Sequence, residues 1–364
     1  MQLIPHDSDD PVRGPGSYRM TAARYHADPA PQPSMSSGIA NCIIDDTPAH
    51  ARVKHPRLSL LPTDDDATPE LQEKYGIAEA VAAEPEEAQP ERVNVGSVAH
   101  EILLGQGGGY DVISGFKDWR TKAAKERRDE AIEAGLTPIL EHQYDRAEKV
   151  AASVRRRVQQ IDGLELAFVS PPGAGEIANV WFDEQFGCWC RSLLDWWGPE
   201  ANTLIDLKTT TVGLSDDALD RRIAADGIDT QIALQARGVT TFYPQLAGGP
   251  KRLRYYVIFV EQGPPFEVRA LLLNSEQRER GWRRMVHAGV LFGHCLRTGK
   301  WPGYPRRVTE TPVPEDFTGW PLKRWLEREK FDPKFGPIAE PLLLALSGNA
   351  PLPGRGAMDQ EIPL

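Results

Sequence analysis

Two short apolar runs, Cys188–Leu194 and Thr203–Thr209, constrain this 364-residue chain more than any other feature, because each delivers a carboxylate to the same place. Asp195 closes the first run, and eleven positions later Asp206 opens the tripeptide Asp206-Leu207-Lys208 inside the second. Side chains alternate across a β-strand, so Asp206 and Lys208 share one face while Ile205 and Leu207 take the other. The intervening Trp196–Asn202 carries turn-forming residues, which predicts that the second run returns as the antiparallel neighbour of the first. Two carboxylates and an ammonium then converge.

Hard oxygen ligands of this kind suit Mg²⁺, with Mn²⁺ as an alternative, and a nearby ammonium can orient water and offset developing negative charge. That is the layout of a metal-dependent phosphodiesterase site. The same spacing also suits a surface hairpin whose Asp and Lys form an exposed ion pair.

At 40% hydrophobic and 26% charged residues the composition is that of a globular chain able to bury a sizeable core. No run of about 18 apolar residues occurs and the first 14 residues are polar, so a membrane span and a secretion signal are not expected and a cytoplasmic protein is. Four scattered cysteines, Cys42, Cys188, Cys190 and Cys295, give neither a disulfide framework nor a metal-binding spacing. The net charge of −10 excludes a protein that coats nucleic acid through bulk electrostatics. Local basic clusters recur nonetheless: Lys122 to Arg128, Arg155-Arg156-Arg157, Lys251 to Arg254, and Arg278 to Arg284.

Residues 1–33, rich in Pro, Asp and Gly, read as a flexible arm, and Ser34–Asp46 as a first helix with Ser36 or Ser37 as cap. A polar stretch over 62–91 reads as a linker or loosely held helix. Val95, Val98, Ile102 and Leu103 then mark a helical face behind the cap candidate Asn94, with His100 on that helix. The glycine run 105–109 lacks the residues of a phosphate-binding loop. A charged helical region covers 117–160, with a long stretch from Pro138 to Gln160. Strands are predicted at Leu164–Val169, Glu176–Phe182, Cys188–Asp195, Thr203–Thr209, Arg254–Val260 and Glu267–Leu273. Helices are predicted at about Leu214–Ala225 and Thr230–Phe242, and a last one at Ser275–Thr298 opens with the capping box Asn274/Gln277. The expected fold class is α/β (α+β), a mixed central sheet flanked by helices. From Trp301 on the chain is Pro-rich, with one helical patch near Leu322–Lys330.

In this order the motifs resemble those of the PD-(D/E)XK nuclease superfamily, and within it the phage and prophage exonuclease VIII (RecE-like) group, related to the RecB nuclease domain and lambda exonuclease. The resemblance is carried by the opening helix from Ser34 with Thr47-Pro48-Ala49, by Gly96-Ser97-Val98-Ala99-His100, by Glu176 on the strand before the hairpin, and by Arg191…Asp195 followed by Ile205-Asp206-Leu207-Lys208-Thr209-Thr210. Gln231 falls where the group has its Q-x-x-x-Y helix, and Gln235 stands in place of the tyrosine.

The resemblance implies a domain over 34–304 and a Pro-rich extension over 305–364. It implies a metal held by His100, Asp195, Asp206 and the Leu207 carbonyl, with Lys208 orienting the attacking water, Glu176 supporting the site, and Gln231 and Arg191 at the substrate. The implied activity is Mg²⁺-dependent exonucleolysis of linear double-stranded DNA, 5′ to 3′, leaving 3′ overhangs for a phage single-strand annealing partner, and the implied assembly is a homo-oligomer. Two other readings stand beside it: a structure-specific or defence-related nuclease acting on single-stranded or foreign DNA, and a non-catalytic DNA-end-binding module.

Overall fold

The computed structural model describes residues 3–6, 8–58, 91–169, 174–198, 202–248 and 252–304. The polar stretch over 62–90 and everything from 305 on, including the helical patch near Leu322, lie outside the described residues.

A mixed sheet forms the centre. Its strands are β1 (Ile4–Pro5), β2 (Gly16–Arg19), β3 (Ser34–Met35), β6 (Ala174–Asp183), β7 (Cys188–Gly198), β8 (Thr203–Thr210), β9 (Arg254–Glu261) and β10 (Val268–Leu271), and β4 (Tyr110–Ile113) with β5 (Thr137–Leu140) makes a separate parallel pair. The order is β1-β2-β6-β7-β8-β9-β10, with β3 added beside β7. All neighbours are antiparallel except β1/β2, β3/β7 and β8/β9. The helices are α1 (Ala22–His26), α2 (Ser37–Asp45), α3 (Pro48–Lys54), α4 (Glu91–Leu104), α5 (Lys122–Glu133), α6 (Glu141–Val158), α7 (Asp216–Ala225), α8 (Ile228–Phe242) and α9 (Ser275–Thr298). The parallel β8/β9 pair needs a crossover, and α7 and α8 supply it.

Apolar side chains bury on both sheet faces, as a mixed sheet between helical layers requires. On one face α2, α8 and α9 cover Trp181, Trp197, Leu204 and Phe259; on the other, α4 and α6 cover Trp196, Ile205, Leu207 and Ile258. The long α9 keeps its Asn274/Gln277 capping box, and its glycines allow close contact: a Cβ on Gly293 would lie 1.9 Å from the Phe186 carbonyl oxygen. The four cysteines are buried and unbridged.

The structure revises several local expectations: Ser34–Met35 is a strand ahead of α2, Pro138 lies in β5 ahead of α6, and α4 begins at Glu91, before Asn94. Residues 12–35 are not a free arm: β2 pairs with β6 over four residues, β3 pairs with β7, and Val12, Tyr18, Met20, Tyr25 and Ala30 form a third apolar cluster with Ala178 and Val180. Leu164–Val169 is a chain of i to i−3 turns rather than a strand, because Leu164 and Ala167, three apart, bury together beside α6. The turn expected over Trp196–Asn202 is shorter, since Trp196 and Trp197 bury on opposite faces and carry β7 on to Gly198, opposite Thr203. Asn202, at φ 49°, takes the left-handed conformation that asparagine tolerates in a tight return.

Candidate active site at a strand fork

The site grows from the way β7 shares its edge. β6 runs along one side of β7 throughout, but the other side is divided: β3 takes Trp189 and Cys190, and β8 takes only Trp196–Gly198. Beyond Ile205, β8 leaves β7 and stays with β9. Residues 191–195 therefore face a fork whose backbone groups need other partners. Gln235 Nε2 donates to the Leu193 carbonyl at 2.7 Å, and Asp195 Oδ2 accepts from the Leu207 N–H at 2.7 Å. Gln235, the departure from the resembled motif, thus acts as a backbone bridge.

The strand pattern is also broken here. Leu194 and Trp197 face the same apolar cluster although they are three apart, whereas strict alternation would put them on opposite faces. Opposite this break sits Glu176 with φ 47°, a left-handed backbone that costs a non-glycine residue on the order of 1–2 kcal/mol. Strain of this kind gathers at sites where a side chain must be re-aimed.

Asp206 is 0% exposed: Gln231 Nε2 donates to Oδ1 at 2.7 Å, and Lys208 Nζ forms an ion pair with Oδ2 at 2.7 Å, although Oδ2 accepts no hydrogen bond of good geometry. The predicted Asp206/Lys208 face is thus formed, with Ile205 and Leu207 on the other side. Burial raises the Asp206 pKa; Lys208 pulls it back and the Asp195 charge adds to the rise, leaving it above the usual value. Burial alone would lower the Lys208 pKa, but Asp206 and Asp195 outweigh it and hold it above the ordinary lysine value. Glu176 is pushed up to about 7, first by burial and then by Asp195 and Glu101. His100 Nδ1 comes to 4.0 Å from Asp195 Oδ2.

His100 reaches this point because α4 lies close against the end of β8. A Cβ on Gly96 would stand 2.6 Å from Thr209 Oγ1 and 3.3 Å from Gln262 Nε2, so glycine sets the approach and places His100 one turn further on. Between α4, α7 and the end of β8 opens a cleft of about 1030 Å³, lined by His100, Glu101, Glu176, Lys208, Arg221 and Arg222 among others.

Of the residues predicted for the site, His100, Glu176, Asp195, Asp206, Leu207 and Lys208 are brought together. Gln231 is there too, but its amide engages Asp206, so it positions that carboxylate. Arg191 is elsewhere in function: at 3% exposure its Nη1 donates to Ser34 O (2.6 Å) and Ser34 Oγ (2.8 Å) and pairs with Asp28 Oδ1 at 3.1 Å. The folded N-terminal segment covers it, which removes it from the substrate side. Glu101, Arg221 and Arg222 went unmarked in the sequence; each lies on a polar helix face where no spacing distinguishes a cleft residue from a solvated one. Arg222 is committed to Asp226 Oδ2 and the Thr209 carbonyl, both at 2.9 Å, whereas Arg221 is exposed in the cleft wall.

No three His, Cys, Asp or Glu side chains among the described residues are arranged as a ready-made metal cluster. The expected ligand set is only partly gathered, because Lys208 and Gln231 occupy the oxygens of Asp206. The donor chemistry nevertheless fits a hard divalent cation: burial first, and then the Asp195 charge, raises the pKa of both Glu176 and Asp206, and the imidazole of His100 lies 4.0 Å from Asp195 Oδ2.

No protein-family model matches the chain, and no curated protein matches it. Among solved structures the fold is similar to that of a protein from Eubacterium rectale provisionally named an exonuclease, with 13% identity over 81% of this chain and 96% of that one and a TM-score of 0.44. A likeness this distant bears on neither chemistry nor substrate. No described helix is long and apolar enough to cross a membrane.

Proposed function

We propose that the chain is a metal-dependent deoxyribonuclease of the PD-(D/E)XK type, its centre at the β7/β8 fork. The observation that carries this reading is the convergence of Asp195 and Asp206 with Lys208 where the two strands part, the Lys208 ammonium 2.7 Å from Asp206. Asp195, Asp206, His100 and the Leu207 carbonyl would hold Mg²⁺ or Mn²⁺, which supplies charge neutralisation at the scissile phosphate and a nucleophile at neutral pH. The protein's own groups do the rest. Gln231 holds Asp206 in one rotamer, Asp195 is fixed by the Leu207 N–H, Lys208 orients water and offsets negative charge, and Glu176 presents a second carboxyl to the cleft.

By its motifs the substrate is linear double-stranded DNA, degraded 5′ to 3′ by a homo-oligomer that leaves 3′ overhangs for a phage single-strand annealing protein. A panel of duplex and single-stranded DNAs labelled at either end, incubated with the purified protein and Mg²⁺, tests this. Stepwise loss of the 5′ label from duplex alone is the expected result. Preference for single strands would shift the reading to a structure-specific or defence nuclease, and binding without cleavage in Mg²⁺ or Mn²⁺ to an end-binding module.

A further inference from the structure

A second groove, of about 450 Å³, opens between the end of α6 and the β9–β10 turn, and its walls are basic. Arg156 and Arg157 come from α6, Arg269 from β10, with Ser153 and Gln160 beside them and Glu267 the one acid. The guanidinium of Arg157 has no hydrogen-bond or ion-pair partner among the described residues, and that of Arg156 reaches only Ser153 Oγ, at 3.3 Å. Cations in the last turn of α6 complement its dipole. The dipole does not account for a groove formed between that turn and a separate hairpin.

Three links tie the elements that wall the groove to those that wall the cleft. Arg155 Nη2 donates to the carbonyl of Ile102 at 2.5 Å, next to the cleft residue Glu101. Arg269 Nη1 donates to Leu214 O and pairs with Asp216 Oδ1, both at 2.7 Å, and Asp216 begins α7, which carries Arg221 and Arg222 into the cleft. Gln262, which lines the cleft, leads directly into the turn that walls the groove.

From this we infer that the groove is a phosphate-backbone subsite, holding the nucleic acid outside the cleft while the fork acts on the bond within it; the inference rests on the nuclease reading. A chain of net charge −10 repels a polyanion at long range, so it needs a local cluster of exposed guanidinium groups, such as Arg156 and Arg157, to hold one. Such a contact reads no sequence and is screened by salt.

The test is fluorescence anisotropy with labelled duplex DNA in EDTA across a salt series, comparing wild type, Arg156→Ala/Arg157→Ala, and the charge-matched control Lys54→Ala/Lys300→Ala on the other helical layer. Loss of two phosphate contacts should weaken binding and reduce the slope of log K against log salt by about two, with the control unchanged. An unchanged slope and affinity in the arginine variant, an equal fall in the control, or no DNA binding by wild type would each overturn the subsite. Wild type that binds with the expected slope but never cuts with Mg²⁺ would leave the groove standing and remove the nuclease reading; wild type that cuts while the arginine variant keeps its slope would remove the groove alone.

Discussion

Asp195 Oδ2 accepts the backbone N–H of Leu207 at 2.7 Å, bridging β7 and β8 just past the last pair of their ladder. The carboxylate replaces a lost sheet hydrogen bond and at the same time stands beside His100 and the Asp206/Lys208 pair. One side chain therefore holds the fork together and supplies charge to it, so its structural and chemical roles can be separated by substitution.

Asp195→Asn keeps an oxygen acceptor for the Leu207 N–H, while Asp195→Ala leaves that donor unpaired. Thermal unfolding should find the asparagine variant close to wild type and the alanine variant less stable by about 1–3 kcal/mol. Both should lose DNA cleavage. Retained activity in the asparagine variant would show that the charge of Asp195 is not needed.

Lys208 competes with any cation for Asp206 Oδ2, which it approaches to 2.7 Å. In calorimetric titrations Lys208→Ala should bind Mn²⁺ more tightly than wild type while cutting no DNA. Weaker Mn²⁺ binding in this variant would mean that the ammonium supports the metal site instead of competing with it.

Gly96 sets the distance between α4 and β8, since a Cβ would meet Thr209 Oγ1 at 2.6 Å. Gly96→Val should cost about 1–3 kcal/mol through overpacking. It should also lower kcat more than it raises KM, because His100 moves with the helix. A variant that loses stability but keeps kcat would separate His100 from the chemistry.

Asp28 lies at 0% side-chain exposure among His55, Arg191 and Ser34. Burial alone would raise its pKa, but the His55 and Arg191 partners outweigh it and hold it below the usual carboxylate value. For a depressed carboxylate the stabilisation is present above the unfolded pKa, near 4, and is lost as pH falls through the folded one. Asp28→Asn should cost about 3 kcal/mol at pH 7 by stranding the Arg191 charge. Below pH 4 the difference from wild type should narrow, as denaturant unfolding at several pH values would reveal.

Much of this architecture is legible in sequence where periodicity and burial agree. β8 and β9 are apolar, β-branched runs buried over most of their length, and α9 carries both its cap and its apolar stripe, so their limits fall within a residue or two of the predicted ones. The Asp206/Lys208 pairing followed from the pleat alone. What could not be read is long-range. That β2 and β3 leave a Pro- and Gly-rich segment to join the sheet depends on β6 and β7 offering free edges, and their placement buries Arg191, which motif spacing had put at the substrate. The role of Gln235 appears only once β7 and β8 part, since nothing local marks Leu193 O as the carbonyl in need of a donor. The left-handed backbone of Glu176 likewise answers a break in β7 that no propensity announces.

The most direct test of the fork as a hydrolytic centre is the rate of cleavage of end-labelled linear duplex DNA by wild type and Asp206→Ala in Mg²⁺, with EDTA as the metal-free control. Cleavage by wild type that falls by at least about a hundredfold in the variant, and vanishes in EDTA, is the result expected of this geometry. Cleavage that persists in a folded Asp206→Ala variant would contradict it.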